Sequence, residues 1–514
     1  MRMKQLLLCL IASFIILNMN AQTETPTPQW RPLYHFTPEK NWTNDPNGLL
    51  YLNGVYHLYN QQNPFENKWG HMSWGHATSA DLIHWKHLPI AIPEAINGDD
   101  TVWRFSGSAV WDKNNTSGWC KGSDCIVAIY TAHQPHIRKE SQYVAYSNDG
   151  GMTYTNYEKN PVIDLNKLDF RDPNVFWYEP GKFWLMTVVI PDEHKARFYS
   201  STNLKEWNLL SEFGPQGYTG ANWECPFLIQ LPVEGSDKKK WVLVTSAAGG
   251  ERGVFEQYFV GDFDGKEFKN DNAADKILTL DYGDTYYAAI PWNNVPNDKK
   301  VYIGWMVPNQ QATSPWRGQM SIARDLSLRE TKDGLRLIQK PTAEIESKLG
   351  ELSNNNTIEL KNIEVNNAEI NLDKNKKITG NAYWIKAELK LQPNATAGFK
   401  LAQKKDASGK IVNETVISYD AANHQLTVDR TNSGGELNEK ALKRTIDLTD
   451  QSNTVQLEIL LDKSSLEVFA NNGEAALTTF IHPSEDANNI AAFSSNGSAT
   501  ISSFKIYDLS SVKQ

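Results

Sequence analysis

Three short segments place acids in chemically different settings. Asn41-Trp42-Thr43-Asn44-Asp45-Pro46-Asn47-Gly48 sets one carboxylate among several amides and an indole. Pro46 fixes a backbone torsion and Gly48 lets the chain turn where a side chain would clash, so the segment reads as a rigid turn presenting Asp45. Taken alone, Asn-Asp-Pro-Asn-Gly is equally well read as ordinary turn chemistry. Arg171-Asp172-Pro173-Asn174 and Trp223-Glu224-Cys225-Pro226 bring two further acids. Donors such as Asn44 should keep Asp45 ionised with a lowered pKa, and Arg171 should keep Asp172 charged, although a plain loop ion pair remains open for Arg171–Asp172. The dry flanks of Glu224 should raise its pKa so that it carries a proton near neutrality. One ionised and one protonated carboxyl are the two partners of nucleophile-and-acid catalysis.

Acids so far apart in the chain meet only if the fold converges strand ends. A degenerate repeat suggests how. Ser79-Ala80-Asp81-Leu82-Ile83-His84-Trp85 recurs as Ser201-Thr202-Asn203-Leu204-Lys205-Glu206-Trp207, with looser copies ending at Tyr154 and Phe268. The aromatic ends, residues 85, 154, 207 and 268, lie 69, 53 and 61 positions apart. Units of roughly 40 to 65 residues made of short strands are the signature of propeller blades, and five fit the first part of the chain. Shared turn chemistry in another large β domain is the alternative. Asp45, Phe105-Ser106-Gly107-Ser108, Asp172, Glu224 and Asp281-Tyr282-Gly283 recur at about one per blade, which predicts that all five enter one central funnel.

Tryptophan locates the domain division: 16 of the 17 lie at or before Trp316, and only Trp384 comes later. We expect an all-β chain with a five-bladed propeller over 22–338, a linker over 339–355 holding a short helix, and a β-sandwich over 356–514. In that last part, runs such as Thr454–Leu460 alternate apolar and polar residues, as in a sheet with one wet face. Residues 1–21 read as a cleavable leader, with Arg2 and Lys4 before an apolar run from Leu6 to Leu17 and cleavage after Ala21. That run is too short to span a bilayer, and no other stretch is apolar enough. The mature protein is expected to be exported, periplasmic or extracellular. Cys9 lies inside the leader. Cys120 and Cys125 flank a turn-prone Lys-Gly-Ser-Asp, and a local disulfide and two free thiols are both open readings. No cysteine has metal-ligand spacing, and His71 and His76, five apart, fit one helical face poorly, so no metal is expected. A formal net charge of -9 disfavours nucleic acid and anionic membranes as partners.

The motifs Trp-x-Asn-Asp-Pro-Asn-Gly, Arg-Asp-Pro and Glu-Cys, in this order, resemble those of the β-fructosidases of glycoside hydrolase family 32: invertases, inulinases and levanases. The resemblance extends to Leu466-Glu467-Val468-Phe469 and Gly473 in the sandwich and so covers essentially the whole mature chain. It implies a retaining hydrolysis of β-fructosyl linkages with Asp45 as nucleophile, Glu224 as acid/base and Asp172 as transition-state stabiliser, without metal or organic cofactor. It implies substrate contacts at Asn44, Gln61, Trp69, Phe105, Ser106, Arg171 and Trp316, though Trp is also a common blade filler. The partner would be sucrose or a fructan, levan or inulin, and the sandwich would have a supporting role in substrate binding or in a homodimer. Thr43 stands where the family often has Met, and Asn60-Gln61-Gln62 where it usually has Tyr-Gln-Tyr, which leaves fine specificity open. Rival readings are a fructosyltransferase, an inverting arabinan- or xylan-type hydrolase of five blades, and a fructan-binding protein without catalysis.

Overall fold

The computed structural model describes residues 27–512 apart from Asp99, Ser123, Gln310, Asn355 and Thr379; the predicted leader, with Cys9, lies outside the described residues. Among the described residues, seven sheets, antiparallel apart from one two-residue pairing, account for nearly all of the regular structure, five before the one α-helix and two after it. The innermost long strands of the five blades are Asn41–Leu52, Asp100–Trp111, Arg171–Tyr178, Trp223–Pro232 and Tyr286–Pro291. These strands touch one another in order and close a ring, so they line the central funnel. The later strands of each blade step outward by hairpins. Trp316-Arg317, leaving the fifth blade, pairs in parallel with Asn41-Trp42 of the first and fastens the ring.

Every funnel-lining strand carries the same irregularity. Two residues face one on the neighbouring strand between Thr43 and Pro46, Arg104 and Gly107, Arg171 and Asn174, Glu224 and Phe227, and Tyr287 and Ile290. Each is a β-bulge, a device that bends a strand and re-aims a side chain. Asp172, Cys225 and Ala288 take positive φ there, at 66°, 45° and 53°. The bulged pairs are Asn44-Asp45, Phe105-Ser106, Asp172-Pro173, Cys225-Pro226 and Ala288-Ala289, so four bulges carry Asp45, Ser106, Asp172 and Cys225, and Glu224 and Tyr287 immediately precede the fourth and fifth.

The sequence repeat marks the opposite feature, the outer turns. Asp81 Oδ1 accepts from the backbone N–H of Ile83 and His84, Asn203 Oδ1 from Lys205 and Glu206, Asp149 Oδ1 from Met152 and Thr153, and Asp264 Oδ1 from Lys266 and Glu267. A short side-chain oxygen replacing a backbone acceptor is why Asp or Asn recurs there. The aromatic ends pack in apolar layers, such as the one that holds Trp207 and Trp184 of the third blade together with Val127 and Val144 of the second.

The fifth blade ends with Gly334–Pro341, and the helix Ala343–Leu352 follows, with the Thr342 side chain accepting from the Ile345 N–H at its start. Two six-stranded sheets then enclose a separate apolar core around Tyr383, Phe399, Leu466 and Phe504. A buried ionic network joins this sandwich to the propeller. His35 contacts Asp462 and Glu467, both at 2.9 Å, while Arg324 reaches Asp281 at 3.0 Å and Glu467 at 2.5 Å. Asp281 is therefore an interface residue, with Thr478 of the sandwich donating to it through N–H and Oγ1, and it does not enter the funnel as its spacing predicts. Cys120 and Cys125 form a disulfide, which settles the two open readings of that pair.

Candidate active site

Asp45 is buried and collects donors from three blades. Ser106 Oγ donates to its Oδ2 at 2.5 Å, Gln61 Nε2 to the same oxygen at 3.1 Å, and Asn44 Nδ2 to Oδ1 at 3.2 Å. The Cys225 thiol lies 3.5 Å from Asp45 Oδ2 and 3.6 Å from Asp172 Oδ2, and the Cys225 N–H donates to Asp172 at 2.9 Å. One sulfur thus ties together two carboxylates from the first and third blades. Burial and the surrounding carboxylates push that thiol well up, so it stays a neutral donor. Glu224, next to Cys225, turns to Arg171, which meets its Oε1 from Nε and Nη2, both at 3.1 Å, and to the hydroxyl of Tyr287, which donates to its Oε2.

The charge states differ from those expected. Burial raises Asp45 above the ordinary aspartate range, and the Glu224 charge adds to this, against hydrogen bonds from Ser106, Asn44 and Cys225. Burial also raises Asp172, opposed by Arg171 and reinforced by Glu224 and Asp45, to about 8. The expected lowering at both came from sequence neighbours alone; burial in the folded chain, with the other acids adding to it, reverses it. Glu224 is not in the dry setting predicted for it: its side chain is 28% exposed and ion-paired to Arg171. The protons of such a cluster belong to the group as a whole.

Gln61, Ser106 and Asn44, expected to touch substrate, all contact Asp45. Phe105 shares the second bulge with Ser106, and its ring stacks on His133 at 4.3 Å with planes 5° apart. Trp69 stands at the rim, half exposed, against Trp103 and Phe105. Trp316 is a correction. Its indole is only 2% exposed and lies under the Arg31 guanidinium, 4.1 Å from the ring centre, because its strand is committed to closing the ring. It offers no face to a ligand. Three aromatic residues take up the Glu224 side instead: Trp42, whose N–H donates to Asn44 Oδ1 at 2.9 Å, Trp305 against it, and Tyr287. Trp42 stood in the first motif, but nothing in the sequence marked Trp305 or Tyr287, the fifth blade's contribution. The two departures from the family pattern also meet. Asn60 Nδ2 donates to Thr43 Oγ1 at 2.7 Å, and Thr43 Oγ1 donates to the Gln61 carbonyl at 3.2 Å, so one polar pair supports the strand carrying Gln61.

Below the acids the channel is shut. A cavity of about 10 Å³ among Pro46, Gly107, Asp172, Cys225 and Ile290 has room for about one water. Deeper still, Asn293 Nδ2 bridges the carbonyls of Ala109 and Val175, both at 2.9 Å. The site is a blind pocket with three carboxyl groups at its floor and aromatic rings at its mouth.

Carboxyl groups set in a blind pocket, with one guanidinium among them and aromatic faces above, define a glycoside hydrolase on a five-bladed propeller. Residues 35–341 match the N-terminal domain of glycosyl hydrolases family 32, and residues 348–508 match the C-terminal domain of that family. The chain belongs to glycoside hydrolase family 32. It is 42% identical to a levanase of Bacillus subtilis over 94% of this chain and 71% of the relative, and 37% identical to an extracellular exo-inulinase of Aspergillus awamori over 94% and 95%. The crystal structure of that exo-inulinase superposes with a TM-score of 0.84 at 36% identity, covering 94% of this chain and 98% of the other. A fructofuranosidase of Schwanniomyces occidentalis complexed with fructosylnystose gives the same TM-score at 32% identity, over 94% and 98%. Among the described residues no helix is long and apolar enough to cross a membrane.

Proposed function

We propose that this protein is an exported, retaining β-fructosidase that hydrolyses β-fructosyl linkages of fructans and sucrose. The observation that carries the proposal is the junction at Cys225, which holds Asp45 and Asp172 side by side while Glu224, the residue before it, is held by Arg171 and Tyr287. Asp45, held by Ser106 and Gln61, attacks the anomeric carbon. Glu224 protonates the departing oxygen and then, as carboxylate, draws a proton from the water that releases the sugar. Asp172 accepts hydrogen bonds from sugar hydroxyls, contacts that tighten as positive charge grows on the ring. The named activities of the levanase and exo-inulinase relatives support the substrate class, and the extracellular relatives together with the N-terminal apolar run support export, with a mature chain starting at Gln22.

The test is Glu224→Ala. With sucrose, whose leaving group needs a proton, fructosyl transfer to the enzyme is expected to fall by several orders of magnitude; with an aryl β-fructoside that step is largely spared. Added azide should rescue turnover and give β-fructosyl azide, because two inversions restore configuration. An α-configured azide would mean a single displacement and an inverting enzyme. Equal damage to both substrates without rescue would remove Glu224 from the acid role.

A further inference from the structure

Arg171 has one edge on Glu224, and its other edge is held by a residue outside every motif above. Glu140, on the strand Lys139–Ser147 of the second blade, is 2% exposed. Its Oε2 accepts from Arg171 Nη1 at 3.0 Å and from the Phe170 N–H at 2.9 Å, and Asp169 meets the same Nη1 at 2.7 Å. Its Oε1 lies 3.2 Å from Nδ1 of His133, the ring stacked on Phe105. One buried carboxylate thus grips both the guanidinium that pairs with the acid/base and the aromatic stack forming the pocket wall. A guanidinium held on one side only can rotate about its long stem; held at Nη1, it presents Nε and Nη2 in a fixed direction. Burying Glu140 without these partners would be strongly unfavourable, so the strand gains nothing from it apart from them.

We propose that Glu140 is a positioning residue for catalysis: it fixes Arg171 and balances its charge so that Glu224 is aimed and charged correctly as acid/base, and it holds His133 against Phe105. This rests on Glu224 having the role assigned above. The charged and titratable groups facing Glu224 are Arg171, Tyr287, Asp172, Asp45 and Cys225. Of the groups that offset Arg171 among the described residues, Glu140 and Asp169 stand on its far side. Removing the Glu140 charge leaves more of the guanidinium's charge for Glu224 and favours its ionised form, so the protonated acid is lost at lower pH.

The experiment compares Glu140→Gln, which keeps shape and removes charge, with Glu140→Asp, which keeps charge, on sucrose and on an aryl β-fructoside. In Glu140→Gln, kcat/KM for sucrose is expected to fall about 10-fold or more and for the aryl fructoside less than about 3-fold, since kcat/KM covers only the step in which the acid acts. The alkaline limb of the sucrose profile should move to lower pH by about half a unit, and Glu140→Asp should return it towards the wild-type position. His133→Phe keeps a ring on Phe105, and the limb should stay where it is. Equal losses on both substrates, or an unmoved limb in a folded Glu140→Gln, would overturn the proposal. If Glu224→Ala has meanwhile behaved as set out above, only the positioning role falls. If Glu224→Ala damages both substrates equally, the acid/base assignment falls and the positioning role falls with it.

Discussion

Cys225 illustrates what a single residue conveys in each representation. Its place in Glu-Cys-Pro identified the segment, but its contacts with Asp45 and Asp172 belong to three strands meeting. The same is true of charge. The identities of all three acids were legible in the chain, whereas their protonation depended on neighbours far away in sequence. Two expectations follow at this scale. A raised Asp172 destabilises the fold: the unfolded chain loses this proton near pH 4, the folded one only near 8, so the penalty grows between those values and is absent below. Asp172→Asn should therefore raise Tm by a few degrees at pH 8, and by little at pH 4, in melts run across that range. No gain at the higher pH would mean the carboxyl is ionised at little cost. Cys225 should be inert: native protein freed of residues 1–21 should keep full activity after iodoacetamide, and one thiol should appear in denaturant, the other two cysteines being paired.

At the level of elements, the outer turns were readable because each depends on a local Asx contact. The bulges were not, since a bulge is a mismatch of register between two strands and leaves no mark in either alone. This is also why Asp281 misled. A polar motif occurs at the right interval for a fifth blade, yet the residue that reaches Glu224 lies six residues beyond it, at Tyr287, just before the bulge. Trp316 misled in the same way, because a match to the family's aromatic position says nothing of which strand its backbone must pair. The second bulge offers a test. A Cβ at Gly107 would meet the Ile129 carbonyl oxygen at 2.1 Å and Tyr130 Cα at 2.6 Å, both backbone atoms that cannot swing aside. Gly107→Ala should cost about 2 kcal/mol or more and weaken catalysis through Ser106 and Asp45, read by melting and by kcat/KM. Wild-type values for both would show that the strand relaxes freely there.

For the whole molecule, two domains of different composition could be read from tryptophan and alternation, but not how they join. His35 lies before the first motif and its partners lie in the sandwich, and no local pattern links them. Burial alone would lower its pKa; hydrogen bonds and charge from Asp462 and Glu467 more than offset this and raise it to about 9. A raised histidine contributes fully below its unfolded value near 6.5 and loses that contribution as pH rises through 9. Tm should thus decline across this window, in the same sense as the Asp172 effect. His35→Gln should lower Tm most at pH 6 and least above pH 9, and a deficit independent of pH would place the interface energy elsewhere. The blind floor under the acids has another consequence, one of traffic. With the channel shut at Asn293, everything uses one door. The leaving group must clear the mouth before water can reach the bound sugar, and the freed sugar departs by the path the next substrate takes. A crowded doorway therefore sets two competitions at once: free fructose should compete with incoming substrate, and at high sugar concentration a second sugar should compete with water for the intermediate.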